Sequence, residues 1–216
     1  ATDDVLALLQ AIAIGRFVGA GHSMGGFCLA DLAARMPDAA ARLLLIDPVI
    51  LPPGSYVEGL PPVDPTTHPV ARRRNQWDSP AQMIGHFATR YPYSSWRADV
   101  LADYCRWGLV APGDGASLAL ACPPHLEASA YLGSMSNDPH RWLAAVACPV
   151  TVLRGRTGKR SGPLDFSMSP TWPGLAATLP DGRDVQFPEC SHFIPMEVPD
   201  RTARLILSEF EAAAQQ

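Results

Sequence analysis

With 216 residues, 47% hydrophobic and 18% charged, the chain suits one folded domain of ordinary core size and excludes a disordered tract. A net charge of −4 gives no general attraction to nucleic acid or anionic membrane, and the longest basic run, Arg72–Arg74, reads as a solvated loop. No apolar stretch is long and charge-free enough to span a bilayer, no secretory signal opens the chain (whose first residue is Ala), and five cysteines without a C-x-x-C pair point to a reduced, cytoplasmic-type protein with no metal site.

Asp3 can cap a first helix whose apolar positions Val5, Leu8, Leu9 and Ile12 recur at helical spacing, with Gly15 as its stop. Phe17–Gly21 is short, apolar and not alternating, as a strand buried on both faces would be. A helix over Met24–Arg35 closes at Pro37, and Leu43–Ile46 is a second buried strand ending at Asp47-Pro48. Residues 51–148 break the pattern. They hold twelve of the 22 prolines, and they carry helix starts at Ser79-Pro80 and Asp138-Pro139, a third helix over Ser94–Trp107, and no strand signal. An insertion of this length is a subdomain and not a loop. Pro149–Leu153 is a third strand, Leu175–Thr178 a short helix and Asp184–Phe187 a fourth strand. A last helix is capped by Asp200, with Ala203, Ile206, Leu207 and Phe210 on one apolar face. Strands alternating with helices predict an α/β fold with a mostly parallel sheet covered on both faces.

The motif that carries chemistry is Gly21-His22-Ser23-Met24-Gly25, followed by Gly26. A G-x-S-x-G run between a buried strand and a helix is a nucleophile elbow. The turn is so tight that the serine backbone is strained, and bulky side chains two residues to either side would collide. It lifts the Ser23 hydroxyl to the end of the sheet and aims the Met24 amide at the position where an oxyanion forms. A serine hydroxyl needs a base. His192 follows the last predicted strand and precedes the final helix, so it falls on a loop at the same end of the sheet. His22 is locked into the elbow, and His68, His86, His125 and His140 lie in the insertion.

These residues resemble an established family. Gly21–Gly26 is similar to the GHSMGG elbow of α/β-hydrolase fold enzymes of the bacterial esterase and lipase-like kind, and Ser191-His192-Phe193 with Glu197 and Pro199 is similar to that family's histidine loop. The resemblance covers nearly the whole chain. It implies a partial α/β-hydrolase fold, with residues 1–50 and 149–216 as the core and 51–148 as a helical cap. It also implies an acid after the strand that precedes the histidine strand. The loop after Val150–Leu153 opens Arg154-Gly155-Arg156 without a carboxylate, so Asp165 is the first candidate. Asp47, at the end of the second strand, is the alternative, because some relatives place the acid there.

The expected activity is hydrolysis of small carboxylic esters through an acyl-enzyme, with thioester, lactone, amide and carbon–carbon bond hydrolysis left open because they share this machinery. Ser23 is the nucleophile, His192 the base, Asp165 its orienting acid and the Met24 amide an oxyanion donor; no cofactor is called for. Trp77, Trp96 and Trp107 are the candidate substrate-binding residues of the cap, set against the plainer reading that they form its core. The family's other oxyanion donor comes from a loop after an earlier strand, and only twenty-two residues precede Ser23. Losing one donor costs on the order of 100- to 1000-fold in turnover, so the competing expectation is a truncated, weak or inactive hydrolase serving as a binding or structural module. Without earlier strands, one edge of Phe17–Gly21 is predicted to be covered by a second chain, by another copy in a homodimer, or by the cap folding back over it.

Overall fold

The structure, a computed structural model, describes residues 1–57, 59, 61, 63–111, 113, 117–133 and 136–215. Its contacts divide the chain into two units, Ala1–Ser55 with Pro139–Gln216, and Tyr56–Asp138.

The first unit opens with α1 (Thr2–Ala11), β1 (Phe17–His22), α2 (Met24–Arg35) and β2 (Ala40–Ile46). The second unit, described in its turn below, holds β3 (Gln76–Trp77), α3 (Pro80–Phe87), α4 (Ala98–Trp107), β4 (Leu109–Val110), β5 (Leu118–Leu120) and α5 (Pro124–Gly133). The first unit resumes with β6 (Val150–Arg154), α6 (Leu175–Thr178), β7 (Gly182–Gln186), α7 (Ile194–Glu197) and α8 (Pro199–Ala214).

Strands β1, β2, β6 and β7 form a parallel sheet in that order. Successive side chains of a strand point to opposite faces, and β2 uses this fully. Leu43 and Leu45 join Ala30 and Ala33 of α2, Val150, Val152 and Leu175 in one core, while Leu44 and Ile46 join Leu153, Phe187 and Ile194 on the other face, with Leu205 and Ile206 of α8 packed against them. Leu43, Leu44 and Leu45 are fully buried, and each contributes roughly 1.5–3 kcal/mol. The register pairs His22 with Ile46 and Ile46 with Leu153. The carboxyl ends of β1, β2 and β6 are therefore level, and the residues that follow them are neighbours.

Several expectations need correction. Helix α1 starts one residue before Asp3, which sits inside the first turn and pairs with Arg35, and Leu8 and Ile12 are exposed. Strand β1 is not buried on both faces. Ala20 is exposed, and among the described residues β1 pairs with β2 alone. Helix α8 exposes Leu207 and Phe210 and buries Thr202 and Glu209 instead. The reason is polar: the Glu209 carboxylate accepts hydrogen bonds from Thr151 Oγ1 at 2.6 Å, Arg42 Nε at 3.0 Å and Arg183 Nη2 at 2.9 Å. Residues 51–55 and 139–148, expected in the insertion, group with the first unit. Leu143, Val146 and Cys148 lie in its core, and His140 Nε2 lies 2.8 Å from the Leu51 carbonyl oxygen.

The second unit has three α-helices and a small antiparallel sheet in the order β3-β5-β4 among its described residues, where the sequence predicted helices without strands. Strands of two or three residues are too short to show a period. Ser79 caps α3 by accepting from the Gln82 amide at 3.1 Å, as its pairing with Pro80 predicts. Trp77, Met83, Leu101, Cys105, Leu109 and Leu120 form its core. No helix among the described residues is long and apolar enough to cross a membrane.

Candidate active site

The elbow is built by close approach. Ser23 adopts φ 57° and ψ −119°, a backbone conformation that side chains other than glycine's rarely adopt. Its amide donates to the Ile46 carbonyl at 2.9 Å, and its carbonyl accepts from Gly26 and Phe27 as α2 begins. A Cβ on Gly21 would meet the Gly25 backbone at 2.6 Å, and one on Gly26 would meet Pro48 at 2.9 Å. One at Gly25 would meet open space, so the crowded downstream glycine is Gly26 and not the one the five-residue motif names. Met24 is the first residue of α2. Its amide belongs to the first turn, where amides lack intrahelical acceptors and the helix end carries partial positive charge.

Three side chains meet at the level ends of the strands. His192 Nε2 lies 3.0 Å from Ser23 Oγ, and His192 Nδ1 lies 2.7 Å from Asp47 Oδ2. A carboxylate only accepts, so Nδ1 carries the proton and Nε2 accepts from the Ser23 hydroxyl. His192 and Asp47 are both buried, and Ser23 is partly exposed.

Asp165, expected as the partner of His192, is not there. Its carboxylate accepts from the Ser161 amide at 2.8 Å and hydroxyl at 2.9 Å, and from the Ser167 amide at 3.0 Å and hydroxyl at 2.5 Å. Those donors, led by the Ser161 amide, hold it well below the usual carboxylate range and tie it to its own loop. Asp47 takes the place beside His192 because its backbone turns at φ 43° directly after β2 and a donor set awaits its other oxygen. Oδ1 accepts from the Gly155 amide at 2.9 Å and Ser169 Oγ at 2.5 Å, while the Thr171 hydroxyl donates to the neighbouring Pro48 carbonyl at 2.7 Å. The loop after β6, which opens without a carboxylate, thus supplies an amide to the carboxylate that follows β2.

The remaining neighbours went unread in the sequence. The Phe166 ring stacks on His192 with centroids 5.5 Å apart, and the Phe166 carbonyl accepts from the His192 amide at 3.2 Å. The Glu197 carboxylate accepts from the Ser191 amide at 3.0 Å and from the Ser191 hydroxyl, which in turn accepts from the Phe193 amide at 3.2 Å. This brackets His192 on both sides. Glu197 was visible as part of the histidine loop; Phe166, Ser169 and Thr171 carried no signal. Cys190, directly before Ser191, is buried. Burial, with Glu197 and Glu189 nearby, pushes its thiol up to about 12.

The three candidate substrate-binding tryptophans lie in the second unit. Trp77 is in that unit's core, Trp96 packs against the same core among Tyr93 and Tyr104, and Trp107 is exposed with the Arg106 guanidinium over its ring. Trp77 and Trp96 are thus held by their own unit's packing, as aromatic rings of this size usually are. Among the described residues no group of three or more His, Cys, Asp or Glu could hold a metal ion.

The sequence pattern of the alpha/beta hydrolase family matches residues 1–205. The chain is 26% identical over 226 aligned positions to an abhydrolase domain-containing protein, AKT2, of Alternaria alternata, covering 90% of this chain and 82% of that protein. Among solved structures it is similar to E-2-(acetamidomethylene)succinate hydrolase, with a TM-score of 0.68 at 20% identity over 97% of this chain and 72% of that one. It is also similar to a thermophilic esterase from Thermogutta terrifontis, with a TM-score of 0.58 at 23% identity over 98% of this chain and 71% of that one. At such identities the two solved structures speak for the fold, and the match over residues 1–205 speaks for the kinship: this chain belongs to the alpha/beta hydrolase family.

Proposed function

We propose that the protein is a serine hydrolase of small carboxylic esters. The observation that carries this reading is the contact line from Ser23 Oγ through His192 to Asp47, at 3.0 and 2.7 Å, with the serine on a strained turn at a helix N-terminus. His192 takes the hydroxyl proton as Ser23 Oγ attacks the carbonyl carbon. Asp47 holds the imidazole in the right tautomer and stabilises the imidazolium. The oxyanion of the tetrahedral intermediate lies at the N-terminus of α2, where the Met24 amide donates to it. Collapse expels the alcohol, which takes the proton from His192 and leaves an acyl-Ser23 ester. Water, deprotonated by His192, then releases the acid and restores the hydroxyl. In this reading Asp47 fills the role that the sequence assigned first to Asp165. The unit Tyr56–Asp138, inserted between β2 and β6, is the cap that selects the acyl or alcohol group. The name of the Thermogutta terrifontis relative supports an ester as substrate.

The test is a fluorophosphonate probe with p-nitrophenyl acetate as substrate. Wild type is expected to be labelled and to turn over, and Ser23→Ala to do neither. An unlabelled wild type would favour the reading of an inert binding module. Hydrogen exchange in Tyr56–Asp138 should slow when Ser23 carries an alkyl phosphonate, and no change there would remove the cap assignment.

A further inference from the structure

His22 is a partly buried titratable group to which the chemistry above gives no task. It ends β1, next to Ser23, and its Nε2 lies 2.8 Å from the backbone carbonyl oxygen of His192. A carbonyl oxygen only accepts, so His22 must be the donor, in its Nε2–H form. The two imidazole centroids are 4.7 Å apart, with the rings inclined at 36°. Each polar atom of His192 is therefore held by a different group: its amide by the Phe166 carbonyl, its carbonyl by His22, Nδ1 by Asp47 and Nε2 by Ser23.

We propose that His22 is a positioning residue, whose Nε2–H holds the main chain of the base in register with the nucleophile beside it. Adjacent residues of one strand end then fix both partners of the proton transfer, so a movement of β1 carries Ser23 and His192 together. Burial, and then the proximity of His192, lower the proton affinity of His22 to about 4. At neutral pH it is an uncharged donor. A cation at that distance would oppose the imidazolium that His192 becomes during turnover.

The inference rests on the serine-hydrolase reading and is tested by three variants beside wild type and Ser23→Ala. His22→Phe keeps the ring volume and removes the donor. Gln carries its side-chain amide nitrogen where the imidazole Nε2 sits, and Asn is one methylene shorter. A misplacement of about 1 Å costs on the order of 100-fold in rate, so H22F and H22N are expected to lower kcat for p-nitrophenyl acetate by roughly 10- to 100-fold with KM little changed. Phosphonate labelling of Ser23 should slow in parallel, and H22Q should recover most of both. Thermal unfolding separates loss of fold from loss of position, and if H22F does not fold, H22Q against H22N carries the comparison. An unlabelled wild type would sink the hydrolase reading. A labelled wild type with H22F or H22N at full rate, or with H22Q as slow as H22N, would sink this inference alone. Ring nitrogen NMR on Ser23→Ala gives a check independent of activity: His22 is expected to be protonated at Nε2, and an Nδ1–H form would overturn the proposal.

Discussion

His192 Nδ1 and Asp47 Oδ2 lie 2.7 Å apart although 145 residues separate them in the chain. The distance follows from the register of β2 against its neighbours, which places Asp47 at the level where β1 delivers Ser23. The Gly155 amide and the Ser169 hydroxyl hold the carboxylate from the far side.

The first prediction sets the two acids against each other. Asp47→Asn should lower kcat on p-nitrophenyl acetate by about 10⁴-fold, the cost of orienting the wrong tautomer. Asp165→Asn should leave kcat within about threefold, since other groups act as a unit and Asp165 is outside it. Its effect should appear as local loosening around Ser161–Ser167. Equal losses in both variants would contradict the arrangement seen here.

The elbow glycines should separate in the same way. Gly21→Ala and Gly26→Ala each force a Cβ against backbone or Pro48, and should destabilise by about 1–3 kcal/mol in urea unfolding. Gly25→Ala meets no neighbour, and should be neutral or more stable by up to about 1 kcal/mol. A Gly25→Ala variant as unstable as the other two would mean that the turn is built differently.

Acid should weaken the fold in a defined window. His22 binds its proton at about 4 in the folded state against an ordinary 6.5, so between those values the unfolded chain takes up more protons. Stability from this group is full above pH 6.5, falls as pH drops towards 4 and levels off below. The group is partly buried, and the loss is on the order of 1–3 kcal/mol. His22→Gln should flatten this part of the curve; the same slope in wild type and H22Q would refute the assignment.

Glu209 is the polar anchor of α8. Burial alone would raise its proton affinity, but the Thr151 hydroxyl and the Arg42 guanidinium outweigh that and hold it below the usual carboxylate range. Glu209→Ala removes the acceptor shared by Thr151, Arg42 and Arg183 and should cost about 1–3 kcal/mol. Denaturant titration checks this, and a loss under about 1 kcal/mol would show that the network contributes little.

Strand β1 offers the last test. Its outer edge has no partner among the described residues, and a bare edge templates pairing with another polypeptide. The chain is expected to be more than a monomer by light scattering, with slow exchange of the Phe17–His22 amides. A monomer with fast exchange there would refute the expectation.

What the sequence could and could not say follows from range. Short-range chemistry was legible: the span of α2, the short helix Leu175–Thr178, the Ser79 cap and the serine turn all follow from residues within a few positions of one another. The choice of acid was not, because it depends on which strand end lies beside β1 and on donors from Gly155 and Ser169, more than a hundred residues from Asp47. The face of α8 was misread for a related reason. Glu209 looks like a surface residue until Arg42 and Arg183 arrive from distant strands.

The left-handed backbone of Ser23 sets a trade between durability and reactivity. Holding a residue other than glycine there costs roughly 1–3 kcal/mol. Ser23→Gly should therefore melt at a higher temperature than wild type, while Ser23→Ala, which keeps a Cβ, should not. The most stable version of this protein would then be one without the Ser23 hydroxyl, and selection for heat resistance alone would erode the residue that the turn presents.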